Sequence, residues 1–484
     1  MKTITIDPIT RLEGHGKINI FLNDKGNVEN AYLQIPELRG FERFCQGRCA
    51  EDMPQITSRI CGVCPVAHHF AATKALDDAF NVDPPDAAKK LRELMYCGYI
   101  IYDHILHFYY LGGPDFVVGP NAPAGQRNIL GVIEKAGLDI GKEVIKHRAY
   151  GQKITAILGG KATHPVCGLP GGVSKGLNKE EVSDIKKMIE SSIDFAEFSL
   201  KLFNDIILEN KEYVSMIKSD PYQLHTYNMG LVDENNQLNF YDGKIRLTDQ
   251  KGEEYLTFPV NEYHDHIDEH VEEWSYMKFP YLKKIGWKGL SDGKNSGIYR
   301  VGPLGRLNAS DGMATPKADK AYTKMYDTFD GTPINSTLSF HWARLIELLY
   351  ATERANELIT DSDITSTNIR NPVGEPGEGY GVVEAARGTL IHHYNLDEHG
   401  LIDKANLIVA TTNNAGAITM SIRDAAKGVI KNGNVDDGIL NQVEMAFRAY
   451  DPCFACATHS LPGGMPMQID IYDSQKNLYK TYKQ

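Results

Sequence analysis

Short alternations of apolar and polar residues open the chain. Ile4 to Asp7, Lys17 to Leu22 and Asn30 to Leu33 carry the two-residue repeat of strands with one covered face. Asn23-Asp24-Lys25-Gly26 supplies turn residues between the last two, so a small antiparallel sheet is predicted at the N-terminal end. From Pro65 the repeat lengthens to three and four residues. It predicts helices over Pro65 to Phe80, Ala87 to Leu111, Ala124 to Leu158 and Glu180 to Ile217, the last long enough for a bundle element. Thr226 to Pro259 return to strands broken by Asp242-Gly243 and Lys251-Gly252. Helices follow at Ala318 to Phe329 and Leu338 to Ile359. Val382 to Tyr394 and Leu401 to Val409 read as a hairpin, and helices close the pattern near Ala415 to Asn432 and Asp437 to Ala449.

No repeat, low-complexity tract or linker interrupts this order. The predicted fold class is α+β and mainly helical: a long-helix bundle core with small antiparallel β portions in the N-terminal, middle and C-terminal regions. Residues 1–484 read as one interwoven unit. Within it, 1–60 form the N-terminal β portion, 61–220 the helical bundle, 221–300 a β-containing insertion, and 301–459 helices with a C-terminal segment; 460–484 follow as an extension.

Composition narrows the function. With 42% hydrophobic and 24% charged residues the chain has an ordinary globular balance, and disorder is excluded. A formal charge of -12 argues against general nucleic-acid binding, which needs basic groups to displace counterions from phosphates. The first residues, MKTITIDPITRLEGHG, lack the apolar segment of a secretory signal, and no apolar run reaches bilayer length. A cytoplasmic location without a membrane span is therefore expected. No phosphate-binding G-x-x-x-x-G-K-[ST] occurs, and neither Gly374 to Gly381 nor Gly168 to Gly176 forms a dinucleotide fingerprint.

Cysteine is the richest lead. Four of the eight fall in two similar constellations: Arg59-Ile60-Cys61-Gly62-Val63-Cys64-Pro65 followed by His68, and Asp451-Pro452-Cys453-Phe454-Ala455-Cys456 followed by His459. Cysteines three apart beside a helical first turn project from one face, where free N–H groups favour the thiolate. Compact zinc modules keep their pairs within a few dozen residues, whereas these stand at opposite ends of the chain. Soft sulfur ligands alone still leave zinc, iron–sulfur and a catalytic metal open.

RICGVCPVAHH and DPCFACATH resemble the two signature motifs of the nickel–iron hydrogenase large subunit. RLEGHG (Arg11 to Gly16), RGFE (Arg39 to Glu42), DHILHFY (Asp103 to Tyr109), His164-Pro165 with Pro170-Gly171-Gly172, and EAARG (Glu384 to Gly388) extend the likeness over nearly the whole chain. The resemblance implies that Cys61 and Cys453 are terminal nickel ligands. It makes Cys64 and Cys456 bridges to an iron carrying carbon monoxide and cyanide, with Arg387 and Thr411 donating to those cyanides. It implies that Glu13 relays a proton from a nickel thiolate and that Asp103 and Asp451 orient Arg387. Glu42 and His459 are implied ligands of a second site for magnesium or iron. Taken alone, Glu13 would be a solvated turn residue, Asp103 a helix-surface charge, Asp451 a helix cap and Arg387 an ion-pair arginine. His68 fits either a place facing the metals or a satisfied core histidine. Ala386 departs from the proline that many relatives have before the arginine, which leaves backbone rigidity there in question. Cys45, Cys49, Cys97 and Cys167 fall outside the implied ligand positions and read as small buried thiols.

By the same likeness, electrons leave through an iron–sulfur small subunit. RGFERF, EEWSYMKFPY and EAARGTLIHHY resemble the cytoplasmic multisubunit hydrogenases, foremost the type linked to heterodisulfide reductase through an iron–sulfur and flavin subunit, with the NAD-linked bidirectional type as the alternative. Family precursors are cut after the histidine of the second motif, here between His459 and Ser460. Two other classes stand beside this reading. His266-Ile267-Asp268-Glu269-His270 fits the H-x-x-E-H pattern of a zinc peptidase, although its acidic surroundings read better as a solvated face. A scaffold subunit of a respiratory complex shares the fold but lacks the cysteine quartet.

Overall fold

Strands β1 (Lys2–Ile6), β2 (Lys17–Leu22) and β3 (Val28–Gln34) form an antiparallel sheet in that order. Alternation along β2 buries Ile18, Ile20 and Leu22, and Ala31 and Leu33 of β3 join them beneath the sheet. The computed structural model describes residues 2–7, 9–329 and 331–459, together with the strands Gln468–Tyr472 and Leu478–Lys483. Of the expected extension 460–484 only those two strands are described; its side chains and its junction with His459 lie outside the described residues.

Long helices build the middle. Helix α1 (Pro65–Ala79) begins with proline in its first turn, where the missing N–H costs nothing, and is buried along most of its length. Next comes α2 (Asp86–Leu106), packed against α3 (Leu138–Gly159). Gly98 and Gly151 permit that approach: a Cβ on Gly151 would lie 2.7 Å from the Gly98 carbonyl oxygen. Helix α4 (Lys179–Phe203) starts in a reciprocal cap between Asn178 and Glu181 and packs on α5 (Phe340–Thr360), which also contacts α2.

Two further sheets flank the bundle. β4 (Tyr227–Val232), β5 (Lys244–Thr248) and β6 (Glu254–Phe258) are antiparallel neighbours, and Tyr299–Arg300 adds a parallel edge beside β4. β7 (Glu378–Ala385), β8 (Gly388–Leu396) and β9 (Ile402–Ile408) form an antiparallel sheet against α1. α6 (Ala415–Val429) and α7 (Asp437–Arg448) pack together, with α6 also against β3. The larger apolar core draws residues from Ile6 to Ala457, and a second, smaller one gathers around β4, β5 and β6.

The α+β, mainly helical class expected from the sequence is therefore present, with corrections inside it. The helix expected over Ala124 to Leu158 is broken. Asn128 caps Ile129–Ala136 by accepting from the N–H groups of Leu130 and Gly131, and Gly137 at φ +101° separates that helix from α3. The helix expected over Glu180 to Ile217 ends in a π turn at Asn204–Leu208, and Asn210 starts a new helix, Lys211–Lys218. Most consequentially, Val382 to Tyr394 is two strands rather than one. The chain reverses at Ala386-Arg387, and Gly388, at φ +137°, leads back into β8.

Candidate metal centre

Both cysteine pairs are presented by backbone turned just before or within a helical turn. Cys64 immediately precedes α1, and the N–H groups of Val63 and Cys64 lie 3.2 and 3.4 Å from Cys61 Sγ. At the other end, Asp451 adopts φ +58°, a left-handed conformation that aspartate tolerates better than most side chains, and Cys453 then leads into the single turn Phe454–Cys456. Cys453 N–H donates to Thr411 Oγ1 at 3.0 Å.

N-terminal residues hold the C-terminal strip in place. Phe454 N–H donates to the Glu13 carbonyl at 2.9 Å, and Gly14 (φ +86°) lies so close that a Cβ there would sit 2.6 Å from Ala455 N. The Arg39 guanidinium donates to the carbonyls of Ala455, at 3.0 Å, and Ile60, which joins the two cysteine motifs. Arg39 N–H and Glu42 N–H donate to the carbonyls of Thr458 and His459 at 2.9 and 3.3 Å.

This architecture interleaves the cysteines. Cys61 Sγ lies 3.3 Å from Cys453 Sγ, Cys64 Sγ 3.5 Å from Cys456 Sγ, and Cys453 Sγ 2.7 Å from Cys456 Sγ. All four sulfurs fall within 4.8 Å of one another and are buried. Hydrogen bonding from Cys453, then from Cys456 and Cys64, draws the Cys61 thiol well below its ordinary range. Burial pushes Cys453 and Cys456 well above theirs. Four thiols this close cannot all ionise alone; a soft cation stabilises the thiolates together, and the donor set fits such ions. This quartet is the only cluster of three or more metal-ligating side chains found among the described residues.

Arg387 covers the quartet from the β7–β8 turn. Its Nη1 and Nη2 each lie 3.1 Å from an Asp103 carboxylate oxygen, and Nη2 stands 2.9 Å from Asp451 Oδ2, outside hydrogen-bond alignment. Asp103 is fully buried in α2 and Asp451 nearly so, which replaces the isolated readings of surface charge and helix cap. Arg387 Nε has no partner, and Thr411, having accepted from Cys453, keeps its own proton to donate. An unpaired donor in a buried site suits a small anionic ligand. Burial, opposed by Arg387 and reinforced by Asp103, pushes Asp451 up to about 7.

Glu13 is half-buried rather than solvated. Its Oε2 lies 2.8 Å from Cys453 Sγ and accepts from Ala455 N–H at 3.2 Å. Burial, then the Cys61 charge, raises its carboxyl above the usual range and favours a proton shared with sulfur.

Glu42 and His459 adjoin through their backbones. Glu42 Oε1 accepts from Leu407 N–H at 2.8 Å, and both ring nitrogens of His459 are buried without a partner; burial holds this imidazole down at about 3. Sequence reasoning did not connect two neighbours to this site. Glu269, raised by burial, accepts from Lys278 Nζ at 2.8 Å, while Glu42 and Glu269 carry the Lys278 ammonium above its usual range despite burial. Only a charged residue placed among apolar ones, as in MKFPY, hinted at this pair.

Other expectations sort clearly. Cys45, Cys97 and Cys167 are buried, but Cys49 is exposed, because it precedes the surface turn Ala50–Asp52. Ala386 restores a tie that proline would remove, its N–H donating to Tyr99 Oη at 3.0 Å. His68 is buried and bonded to His392, so it is at least a partnered core histidine. His266 ends a short helix whereas Glu269 and His270 lie on the strand Ile267–His270, so the H-x-x-E-H residues do not share the helical face a peptidase motif needs. Among the described residues no helix is long and apolar enough to cross a membrane.

Known proteins share this plan. The nickel-dependent hydrogenase family model matches residues 39–124 and 200–459, and a HoxL-like model matches residues 3–38. An F420-non-reducing hydrogenase iron-sulfur subunit of Archaeoglobus profundus is 47% identical over 100% of both chains. The NAD-reducing hydrogenase HoxS subunit beta of Cupriavidus necator is 38% identical over 99% of this chain and 98% of its own. A crystal structure of an NAD+-reducing [NiFe]-hydrogenase in the H2-reduced state superposes with a TM-score of 0.89 at 37% identity, covering 95% of this chain and 100% of that one. With the cysteine quartet in place, these likenesses remove the scaffold and peptidase alternatives: the chain belongs to the nickel-dependent hydrogenase family, as a large subunit that activates hydrogen.

Proposed function

We propose that Cys61 and Cys453 bind nickel terminally while Cys64 and Cys456 bridge it to an iron carrying carbon monoxide and cyanide. The observation that carries this reading is the cross-pairing of sulfurs, Cys61 with Cys453 and Cys64 with Cys456, with Glu13 on Cys453 alone of the four. When bound, the metal pair supplies the polarising site at which hydrogen is split heterolytically. Arg387 Nε and the Thr411 hydroxyl offer donors to the cyanide nitrogens, and Asp103 and Asp451 hold the guanidinium over the sulfurs. Glu13 Oε2 takes the proton from Cys453 Sγ and passes it outward. Glu42 and His459, its ring nitrogens unpaired, hold magnesium or iron and anchor the C-terminal strip.

Electrons pass to an iron–sulfur small subunit in the cytoplasm and onward, through an iron–sulfur and flavin subunit, to heterodisulfide reductase. Identities of 39–47% to the F420-non-reducing hydrogenase relatives that match nearly end to end, against 38% to the NAD-reducing HoxS subunit beta, favour this type over the NAD-linked one. Residues 460–484 are a removable extension cut after His459. Metal analysis with infrared spectroscopy of the purified protein is the test: one nickel and one iron at the quartet with carbon monoxide and cyanide bands is expected. Zinc in their place, without those bands, refutes the assignment.

A further inference from the structure

Strand β8 turns alternate side chains to opposite sides, so His392 and Tyr394 face the core while His393 points outward to Glu378. Tyr394 Oη lies 2.7 Å from His392 Nδ1, and His392 Nε2 lies 3.2 Å from His68 Nδ1. His68 stands one helical turn beyond Cys64 on α1, on the same face, and the Cys61 charge reaches it. Its Nε2 has no protein partner among the described residues.

All three groups are neutral. Burial pushes the Tyr394 phenol well above its ordinary range, His392 well below, and His68 down to about 4. In a row of neutral groups each link carries one proton, so the end of the row sets its direction. Tyr394 is that end. Thr57 Oγ1 neighbours the phenol outside hydrogen-bond alignment and gives its own proton to the Met53 carbonyl at 2.7 Å. A phenol O–H turned away from His392 loses its aligned acceptor and is left as a buried donor without a partner. The row therefore runs from Tyr394 O–H to His392 Nδ1, and from His392 Nε2–H to His68 Nδ1. Because Tyr394 is fully buried, the row does not reach solvent and is no proton exit.

We propose that His392 and Tyr394 are positioning residues that lock His68 in its Nε2–H tautomer, so that a neutral N–H donor rather than a base stands beside the cysteine quartet. The consequence for the metals rests on the nickel–iron reading above; the tautomer does not. A donor near the thiolates stabilises added negative charge and raises the reduction potential of metals bound there.

The test uses the full chain, metal-free and labelled with 15N-histidine, with the His68 resonances identified by their loss in His68→Gln. The parent is expected to show a bare Nδ1 and a protonated Nε2. Tyr394→Phe, nearly isosteric, should bring in an Nδ1–H population, and His392→Leu should make it dominant. His392→Gln, which keeps an amide donor, should restore the parent pattern. A parent His68 protonated at Nδ1, or an unchanged pattern in His392→Leu, overturns the lock. In the nickel-loaded enzyme, Tyr394→Phe should lower the reduction potential at parental metal content, and an unchanged potential overturns the donor role. Failure of the parent to load nickel sinks the metal reading and leaves the tautomer result standing.

Discussion

Replacing Glu13 with glutamine separates proton transfer from assembly, because one oxygen carries both of its contacts. Oε2 meets Cys453 Sγ at 2.8 Å and Ala455 N at 3.2 Å. A glutamine oxygen in that place still accepts from Ala455, so the structural change is at most one neutral hydrogen bond, about 0.5–1.5 kcal/mol. That is small against a folding stability of about 5–15 kcal/mol. Losing a positioned acid–base group instead costs roughly 10²- to 10⁴-fold in rate, or about 2.7–5.5 kcal/mol of barrier. Glu13→Gln should therefore fold, load its metals and keep its infrared bands, while hydrogen–deuterium exchange and hydrogen oxidation fall by at least roughly 10²-fold. The parent carboxyl stays protonated to higher pH than an ordinary glutamate, and the variant should lose the corresponding pH dependence of exchange. Mass spectrometry of the evolved gas gives the exchange rate and metal analysis the loading. A fully loaded variant exchanging at near-parental rate would mean that the proton leaves elsewhere and that Glu13 has no such role.

Cys453→Ser should abolish nickel retention and activity, measured by elemental analysis, because one hard oxygen replaces a soft ligand at the centre of the quartet; full nickel occupancy with normal turnover refutes the ligand set. Arg387→Leu leaves Asp103 and Asp451 buried without their cation and should cost about 3–5 kcal/mol in denaturant unfolding of the metal-free chain; a change under about 1 kcal/mol contradicts the buried geometry. Asp451 binds its proton more tightly folded than unfolded, so the metal-free chain should lose stability as pH rises from 3.8 to about 7, and Asp451→Asn should flatten that slope. Intact mass of active protein should end at His459, whereas a fully active chain retaining residues 460–484 rules out the cut.

The quartet was legible because cysteine spacing is local and its chemistry restrictive: each Cys-x-x-Cys already sits on one turn. Their union was not local, and only the resemblance joined Cys61 to Cys453. Arg387 was singled out for the site, but its place at a strand reversal was not foreseen. Apolar residues on both sides of Ala386-Arg387 continue one β pattern, and Gly388 alone marks the reversal. Asn128 and Gly137 were similarly hidden inside a helical repeat that continues past them. The meetings of His392 with His68 and of Lys278 with Glu269 escaped notice because alternation shows which side a residue faces, never which distant side chain it meets.

The strip from Cys453 to His459, stitched to Glu13 and Arg39, makes any metal at the quartet a staple between chain ends. Cys61 and Cys453 are 392 positions apart, and closing a loop of that length removes about 6 kcal/mol of unfolded-state entropy by the relation used for disulfides. Cys61 and Cys64 stand just before a deeply packed helix, whereas the strip is tied to the N-terminal segments by a few backbone hydrogen bonds. Without metal, the amides of Phe454 and Ala455 are expected to exchange with solvent before those of α1. A metal held by all four sulfurs would make that strip the far end of a crosslink spanning most of the chain.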